Sequence, residues 1–453
     1  MMAIPDDHKW RFIFHFTDIH NLDSIVKNDL LCPNIKKERG IKHRNIANMT
    51  IQERRSKMDV NAGPGGKVHD YVPFYFSSIN PMLLTLLLKK NVDQNHIVYL
   101  CLKIERLEQD DAVFTDASAN RNETPNFYSN TADLDKLDWE LIDRRKWSVG
   151  SEEDKHKKMA EALIYQRVGI KEIDGIVVYN EQMMKKVKEI FQNNEITPPA
   201  IMYDHDQRII KYSFYYTKFF IESQKDITLV TGPLTLLFEY QNLINNIKKG
   251  RDKRTVFTYN TVGDLVAAID NDFSVLPELK ELVDLQQNYP PHDDTVEDHT
   301  KKVVAGIKKQ AIYNQMPEKT KALLKLAAYL HDIGKGPKSK WEDGIMNRAY
   351  PDHPADAVPM LERILTDEIA NISEEEIRQL CMLVIYHDIV GDCIEHGRDK
   401  EQIVKIIKDE NDLEMLFAIA IADAKSISSL WAMNIAGNKD HFCKEVLDLM
   451  DEQ

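Results

Sequence analysis

His331 and Asp332 stand side by side at the end of an apolar run, Leu323 to Leu330 (LLKLAAYL), where a carboxylate costs roughly 2–7 kcal/mol or more unless it is paired or binds a cation. Four other stretches add residues of the same kind. His299 lies three residues after Val296 and four before Val303, on the apolar side of a helical pattern, and Asp423 is the one carboxylate in Leu416 to Asp423 (LFAIAIAD). His353 sits at a helix start in Tyr350 to Ala355 (YPDHPA), and His387 follows Leu383 and Val384. Oxygen and nitrogen donors of this kind suit a divalent metal. His299, His331, Asp332 and Asp423 would hold one ion and His353 and His387 a second, and two adjacent ions clamp a phosphate. Asp388 reads as an outer or surface residue.

The first half of the chain offers less: a strand histidine (His15), an arginine pair (Arg54, Arg55) and Glu161 among Met159, Ala162 and Leu163. Each has a bland reading. A strand histidine is commonly structural, a loop arginine pair solvated, and Glu161 at helical spacing a partner of Lys157 or Lys158. Phosphate-loop spacing is absent, because Gly65-Gly66-Lys67-Val68 lacks the hydroxyl and the upstream glycine.

The elements that must position these residues fall into two styles. Up to about residue 216, strand-like runs (9–17, 71–77, 96–104, 173–179) alternate with helices at 21–28 and 152–165, and 204–216 reads as a closing hairpin, which is an α+β pattern. A polar segment, 39–69, is long enough for a functional loop. Residues 217–275 read as a linker or subdomain with a strand at 227–230, a helix at 234–247 and a solvated basic run at 248–254. From 276 to 453 the pattern is helical throughout. One of its helices runs from about Glu318 to Asp332, and Gly334 reads as that helix's C-terminal cap.

Composition sets outer bounds. With 453 residues, 43 % hydrophobic and 29 % charged, the chain has room for two or three cores. The net charge of -14 is uneven: residues 1–216 carry 31 basic against 32 acidic side chains, leaving 28 against 41 for the rest. A polyanion therefore meets less repulsion at the first half. Five scattered cysteines without a CxxC indicate neither a disulfide framework nor a zinc ribbon. No signal-like start and no long apolar window are present, so a cytoplasmic protein without membrane association is expected.

Over about residues 277–445 the sequence resembles HD-domain metal-dependent phosphohydrolases, through His299, His331-Asp332 and Asp423, with His353 and His387 matching the two-metal variant. Pro277-Glu278-Leu279 and the HDIGK run are also similar to HD domains attached to tRNA nucleotidyltransferases. The resemblance implies hydrolysis of a phosphoester with one or two divalent ions, Lys335 meeting the phosphate. The GYP signature of cyclic-dinucleotide phosphodiesterases is absent after His387-Asp388.

Over about residues 8–216 the chain resembles the DarT family of NAD-dependent DNA ADP-ribosyltransferases. The matching blocks are 14–17 (FHFT), 21–25 (NLDSI), 50–55 (TIQERR), 70–76 (DYVPFYF) with Asn80-Pro81-Met82, 114–116 (FTD), Phe127-Tyr128, 137–139 (LDW) and Met159-Ala160-Glu161. By that resemblance His15, Phe16 and Thr17 would hold NAD, Arg54 would act at NAD and the substrate base, and Glu161 would be the catalytic glutamate. The partner implied is single-stranded DNA, thymidine being the favoured base, with segment 39–69 at the strand. Such enzymes act as toxins or phage-defence effectors, which implies a separate antitoxin. Asn28-Asp29-Leu30 departs from an expected Asn-Gly-Leu, and a positive φ there would burden aspartate. That departure motivates the alternative of an HD phosphohydrolase carrying a non-catalytic NAD- or DNA-binding first half.

Overall fold

The computed structural model describes residues 3–44, 49–120, 124–147, 149–203, 214–220 and 230–451. Two compact units emerge: Met1–Leu88 with Val92–Leu229, and Lys89–Asn91 with Val230–Gln453.

The first unit is built on an eight-stranded sheet of order β10-β9-β4-β1-β3-β7-β5-β6. Its strands are β1 (Phe12–Asp18), β3 (Tyr71–Tyr75), β4 (Ile97–Lys103), β5 (Ala112–Thr115), β6 (Phe127–Tyr128), β7 (Glu161–Tyr165), β9 (Gly175–Val177) and β10 (Ala200–Met202). All neighbours are antiparallel except β9 and β10. Alternation sorts the side chains of β1: Ile13 enters one apolar cluster with Val72, Phe74 and Leu100, while Phe14 and Phe16 enter another with Tyr75 and Tyr99. A separate two-stranded ladder joins β2 (Leu30–Leu31) to β8 (Arg167–Val168).

Three expectations change here. The helix expected over 152–165 ends at Lys158, and Glu161 opens β7, because residues 161–165 pair with β3 on one side and their 162–164 stretch with β5 on the other. Segment 39–69 contains the helix Met49–Lys57, which carries both arginines. Of the hairpin expected at 204–216, residues 204–213 lie outside the described set and Phe214–Phe219 is a helix. The strand expected at 227–230 likewise falls outside it, save Val230.

The second unit is helical around one large core, with two short parallel ladders, β11 (Tyr259–Thr261) to β14 (Ile369–Asn371) and β12 (Gln286–Gln287) to β13 (Ile345–Met346). The basic run at 248–254 keeps Lys248, Lys249, Lys253 and Arg254 exposed but is not a linker. Its first half completes the helix Pro233–Arg251, Lys248 pairs with Glu374, and Arg251 donates to the carbonyls of Leu365, Ile369 and Ala370. Gly334 is not a cap with positive φ either. It sits in a single 3-10 turn, Ile333–Lys335, packed so closely on the helix His353–Asp367 that a Cβ would lie 1.9 Å from the His353 carbonyl oxygen. Among the described residues no helix is long and apolar enough to cross a membrane.

Candidate active sites

In the first unit the structure brings together Glu161 and Arg55. Glu161 is fully buried, opposite Tyr75 in the register of β3 and β7. Arg55 Nη1 and Nη2 donate to its two oxygens, each at 2.8 Å, and the Ala119 N–H donates to Oε1 at 2.8 Å. Burial disfavours the guanidinium charge, but Glu161 more than offsets this and raises the Arg55 pKa. Ser118, bonded to His156 Nδ1 at 2.6 Å, ties down the loop that presents Ala119. Lys157 and Lys158 do not pair with Glu161: Lys157 meets Glu153, and Lys158 donates to the carbonyls of Leu141 and Arg144.

Arg54 is the expectation that changes. Its side chain is exposed, and the guanidinium at Glu161 belongs to Arg55. Successive helical residues point about 100° apart, so only one of the pair turns inward.

His15 and Thr17 line a cleft with Asn21, Asp29, Lys36 and His43. His15 Nδ1 lies 2.7 Å from the Pro73 carbonyl, which only accepts, so Nδ1 carries the proton and Nε2 is left as an acceptor. Burial lowers the His15 pKa to about 4, keeping the ring neutral. Asn21 donates to Thr17 Oγ1 at 3.1 Å and exchanges two hydrogen bonds with the Arg44 backbone. Phe16, expected beside them, is instead buried against Tyr75 and Tyr99, as period-2 alternation requires. Lys36, which the sequence reading missed, is a half-buried cation in the cleft wall whose pKa burial lowers. Burial, with the charges of Arg55 and Lys36, lowers the His69 pKa to about 4, and its Nε2 lies 3.1 Å from Gln52 Oε1. Asp29 holds φ 67 and ψ 171. Its carboxylate accepts from the Ile170 N–H at 3.0 Å and from Arg167 at 3.2 Å.

In the second unit all six expected metal ligands converge. His299 Nε2 lies 3.0 Å from Asp423 Oδ1, 3.4 Å from Asp332 Oδ2 and 3.3 Å from His331 Nε2. The other Asp332 oxygen, Oδ1, is 3.3 Å from His353 Nε2, which is 3.1 Å from His387 Nε2. Asp332 thus faces one histidine pair with each oxygen. Asp388, read from the sequence as an outer or surface residue, lies 3.2 Å from His387 Nε2 and 3.7 Å from His353 Nε2, within the cluster of candidate ligand atoms.

The hydrogen-bond pattern around the rings suits a cation. His331, His353 and His387 each place Nδ1 2.7–2.8 Å from a main-chain carbonyl, of Ala328, Tyr350 and Val384. Ser426 spends its hydroxyl proton on the Asp423 carbonyl, so His299 Nδ1 donates to Ser426 Oγ at 2.9 Å. Nδ1 is thereby committed outward in every ring, and neutral rings would turn four Nε2 lone pairs toward one another. Asp423 Oδ1 is buried yet engaged in no well-formed hydrogen bond. Inward lone pairs and an orphaned carboxylate oxygen fit divalent ions. Lys335 Nζ bonds Asp332 Oδ2 at 2.7 Å and Gln287 Oε1 at 3.1 Å; burial opposes ionisation of Asp332, but the Lys335 charge holds its pKa well below the usual carboxylate range.

The family described as ssDNA thymidine ADP-ribosyltransferase, DarT, matches residues 14–207, and the HD domain matches residues 296–380. A DNA ADP-ribosyl transferase of Escherichia coli O127:H6 is 32% identical over 197 residues, 41% of this chain and 86% of that protein. One from Thermus sp. (strain 2.9) is 33% identical over 186 residues, covering 40% and 87%. The solved structure of Thermus sp. 2.9 DarT in complex with ADP-ribosylated ssDNA is 30% identical and covers 45% of this chain and 98% of its own, with TM-score 0.40. With its first unit matched across nearly the full length of such relatives and an HD domain in its second, the chain belongs to the DarT family of DNA ADP-ribosyltransferases.

Proposed function

We propose that the chain transfers ADP-ribose from NAD to thymidine in single-stranded DNA, with Glu161 as catalytic carboxylate, and that its HD unit hydrolyses a phosphoester. The observation that carries the first part is the buried Glu161, its carboxylate held by the Arg55 guanidinium and the Ala119 N–H. Breaking the bond between nicotinamide and ribose C1 leaves positive charge on the ribose, which an ionised carboxylate near the 2′-hydroxyl stabilises. A thymine nitrogen then bonds to C1, its proton passes to solvent, and nicotinamide departs with the bonding pair. The neutral His15 offers Nε2 as an acceptor for the nicotinamide amide, and Lys36 offers a positive charge to the diphosphate. Arg54, exposed on the same helix as Arg55, is free to meet the DNA strand. Unstacked bases of a single strand reach such a site without the cost of opening a duplex.

In the second unit His299, His331, Asp332 and Asp423 would hold one divalent ion and Asp332, His353, His387 and Asp388 another. Bound there, such ions supply Lewis-acid polarisation of a phosphoryl oxygen. Lys335, already seated on Asp332 and Gln287, is placed to hold a phosphate charge. A toxin or phage-defence role, with a separate antitoxin to restrain it, suits a DNA-modifying transferase.

The test is labelled NAD with homopolymeric single strands. Transfer to oligo-dT that disappears in Glu161→Ala supports the assignment. No transfer to any strand, with phosphoesterase activity that vanishes in Asp332→Ala, would move the function to the HD unit.

A further inference from the structure

A further cluster of metal-ligand types lies in the first unit, at the end of β1. Asp18 closes that strand and is fully buried, and its register opposite Ile97 puts His96, the residue before β4, beside it. The turn Ile19–Asn21 follows, capped by the Asp18 side chain, and carries His20. Asp18, His20 and His96 each bring one ligand atom to within 4.8 Å of the other two. The rings of His20 and His96 meet edge to face, with 5.3 Å between centroids. Asp18 Oδ2 accepts from Arg44 Nη1 at 2.8 Å, which orients the carboxylate. Its Oδ1 faces His20, 2.6 Å from Nδ1 and 2.9 Å from the main-chain N–H. Carboxylate ligands are commonly oriented by such an outer hydrogen bond. His96 Nδ1 is buried yet engaged in no hydrogen bond, a state that buried polar atoms rarely hold without an ion or another partner. The His96 main chain is fixed as well, its N–H donating to the Asp93 carbonyl at 3.0 Å.

The geometry points to a binding site for one transition-metal dication of zinc type, held by Asp18 Oδ1, His20 and His96. Two imidazoles and one carboxylate, with water in the remaining position, make a tetrahedral donor set that zinc accepts, whereas magnesium and calcium take oxygen donors. Binding through Nδ1 shifts the His20 proton to Nε2, so the ring stays neutral and releases no proton. The site uses no residue of the histidine cluster in the second unit. It does connect to the His15–Thr17 cleft. Arg44, which holds Asp18, shares two main-chain hydrogen bonds with the Asn21 side chain, and Asn21 donates to Thr17 Oγ1 in the cleft wall. An ion at Asp18 would therefore brace that wall without touching it.

The experiment uses the full chain stripped with EDTA and freed of chelator, with zinc chloride as the probe. Hydrogen exchange is followed by mass spectrometry in peptides spanning residues 16–22 and 93–98. Zinc is added to the native chain, to His20→Ala, to His96→Gln and to Asp423→Asn, and magnesium chloride to the native chain. Zinc is expected to slow exchange in both native peptides, and magnesium to leave them unchanged. In each histidine variant the zinc concentration for half-protection should rise by at least about 10-fold, while Asp423→Asn should keep the native value. The His20 side chain is 43% exposed, so its alanine variant is expected to fold, which circular dichroism checks. The proposal is overturned if zinc leaves the native peptides unchanged, if either histidine variant responds like native, if Asp423→Asn removes the response, or if magnesium produces it equally.

Discussion

Asp29 holds a backbone conformation, φ 67 and ψ 171, that belongs almost entirely to glycine and costs on the order of 1–3 kcal/mol in any other residue. Its side chain offsets this. The bond from the Ile170 N–H at 3.0 Å ends on a charged group and contributes about 1.5–3 kcal/mol. The Arg167 contact involves a guanidinium 67% exposed and adds about 0–1 kcal/mol. Asp29→Ala removes both bonds and keeps the strain, so it should cost about 2–3 kcal/mol. Asp29→Gly loses the same bonds but releases the strain, less about 0.5–1 kcal/mol for the added freedom of the unfolded chain, and should stay within roughly 1 kcal/mol of native. Urea unfolding of the full chain, followed by pulsed hydrogen exchange in peptides from Phe12–Asp18, reports the first unit alone. If the glycine variant proves as unstable as the alanine variant, the strain argument is wrong. Because Asp29 also lines the His15–Thr17 cleft, the alanine variant should raise the KM for NAD as the turn relaxes.

Arg55→Ala leaves the buried Glu161 charge unpaired and should cost about 3–5 kcal/mol, whereas Arg54→Ala should change stability by less than about 0.5 kcal/mol; chemical denaturation of the two separates them. Gly334→Ala forces a Cβ onto the His353 carbonyl, at a cost of about 1–3 kcal/mol or more, and should reduce bound metal toward one ion per chain by elemental analysis. His15 has a folded pKa of about 4 against 6.5 when unfolded, so between those values the unfolded chain binds the extra proton. Its contribution to stability is complete above pH 6.5 and is lost as pH falls toward 4. His15→Phe should therefore show a shallower loss of stability over that window.

The candidate metal ligands were legible where a polar residue interrupts an apolar helical pattern, as at Asp423 within LFAIAIAD. The DarT blocks were legible through their order along the chain. What escaped was set by packing between distant segments. Glu161 has helix-compatible neighbours on both sides, and only pairing with β3 and β5 makes it the head of a strand. Arg54 and Arg55 are chemically identical neighbours, so the choice rested on which way the helix Met49–Lys57 faces. Asp388 looked peripheral because it follows His387 at a helix end. Gly334 looked like a cap because nothing in its own helix signals the His353 backbone pressed against it.

Three of the four imidazoles are anchored to the carbonyl three residues earlier, Ala328 for His331, Tyr350 for His353 and Val384 for His387. Each ring is thus oriented by its own turn of backbone rather than by a remote partner. Fraying of one turn swings one ligand away while the remainder of the core stays packed. With ions bound as proposed, the unit should release them in a local melting step at temperatures where its helices still give a folded circular-dichroism signal, so that metal loss and global unfolding become separate events.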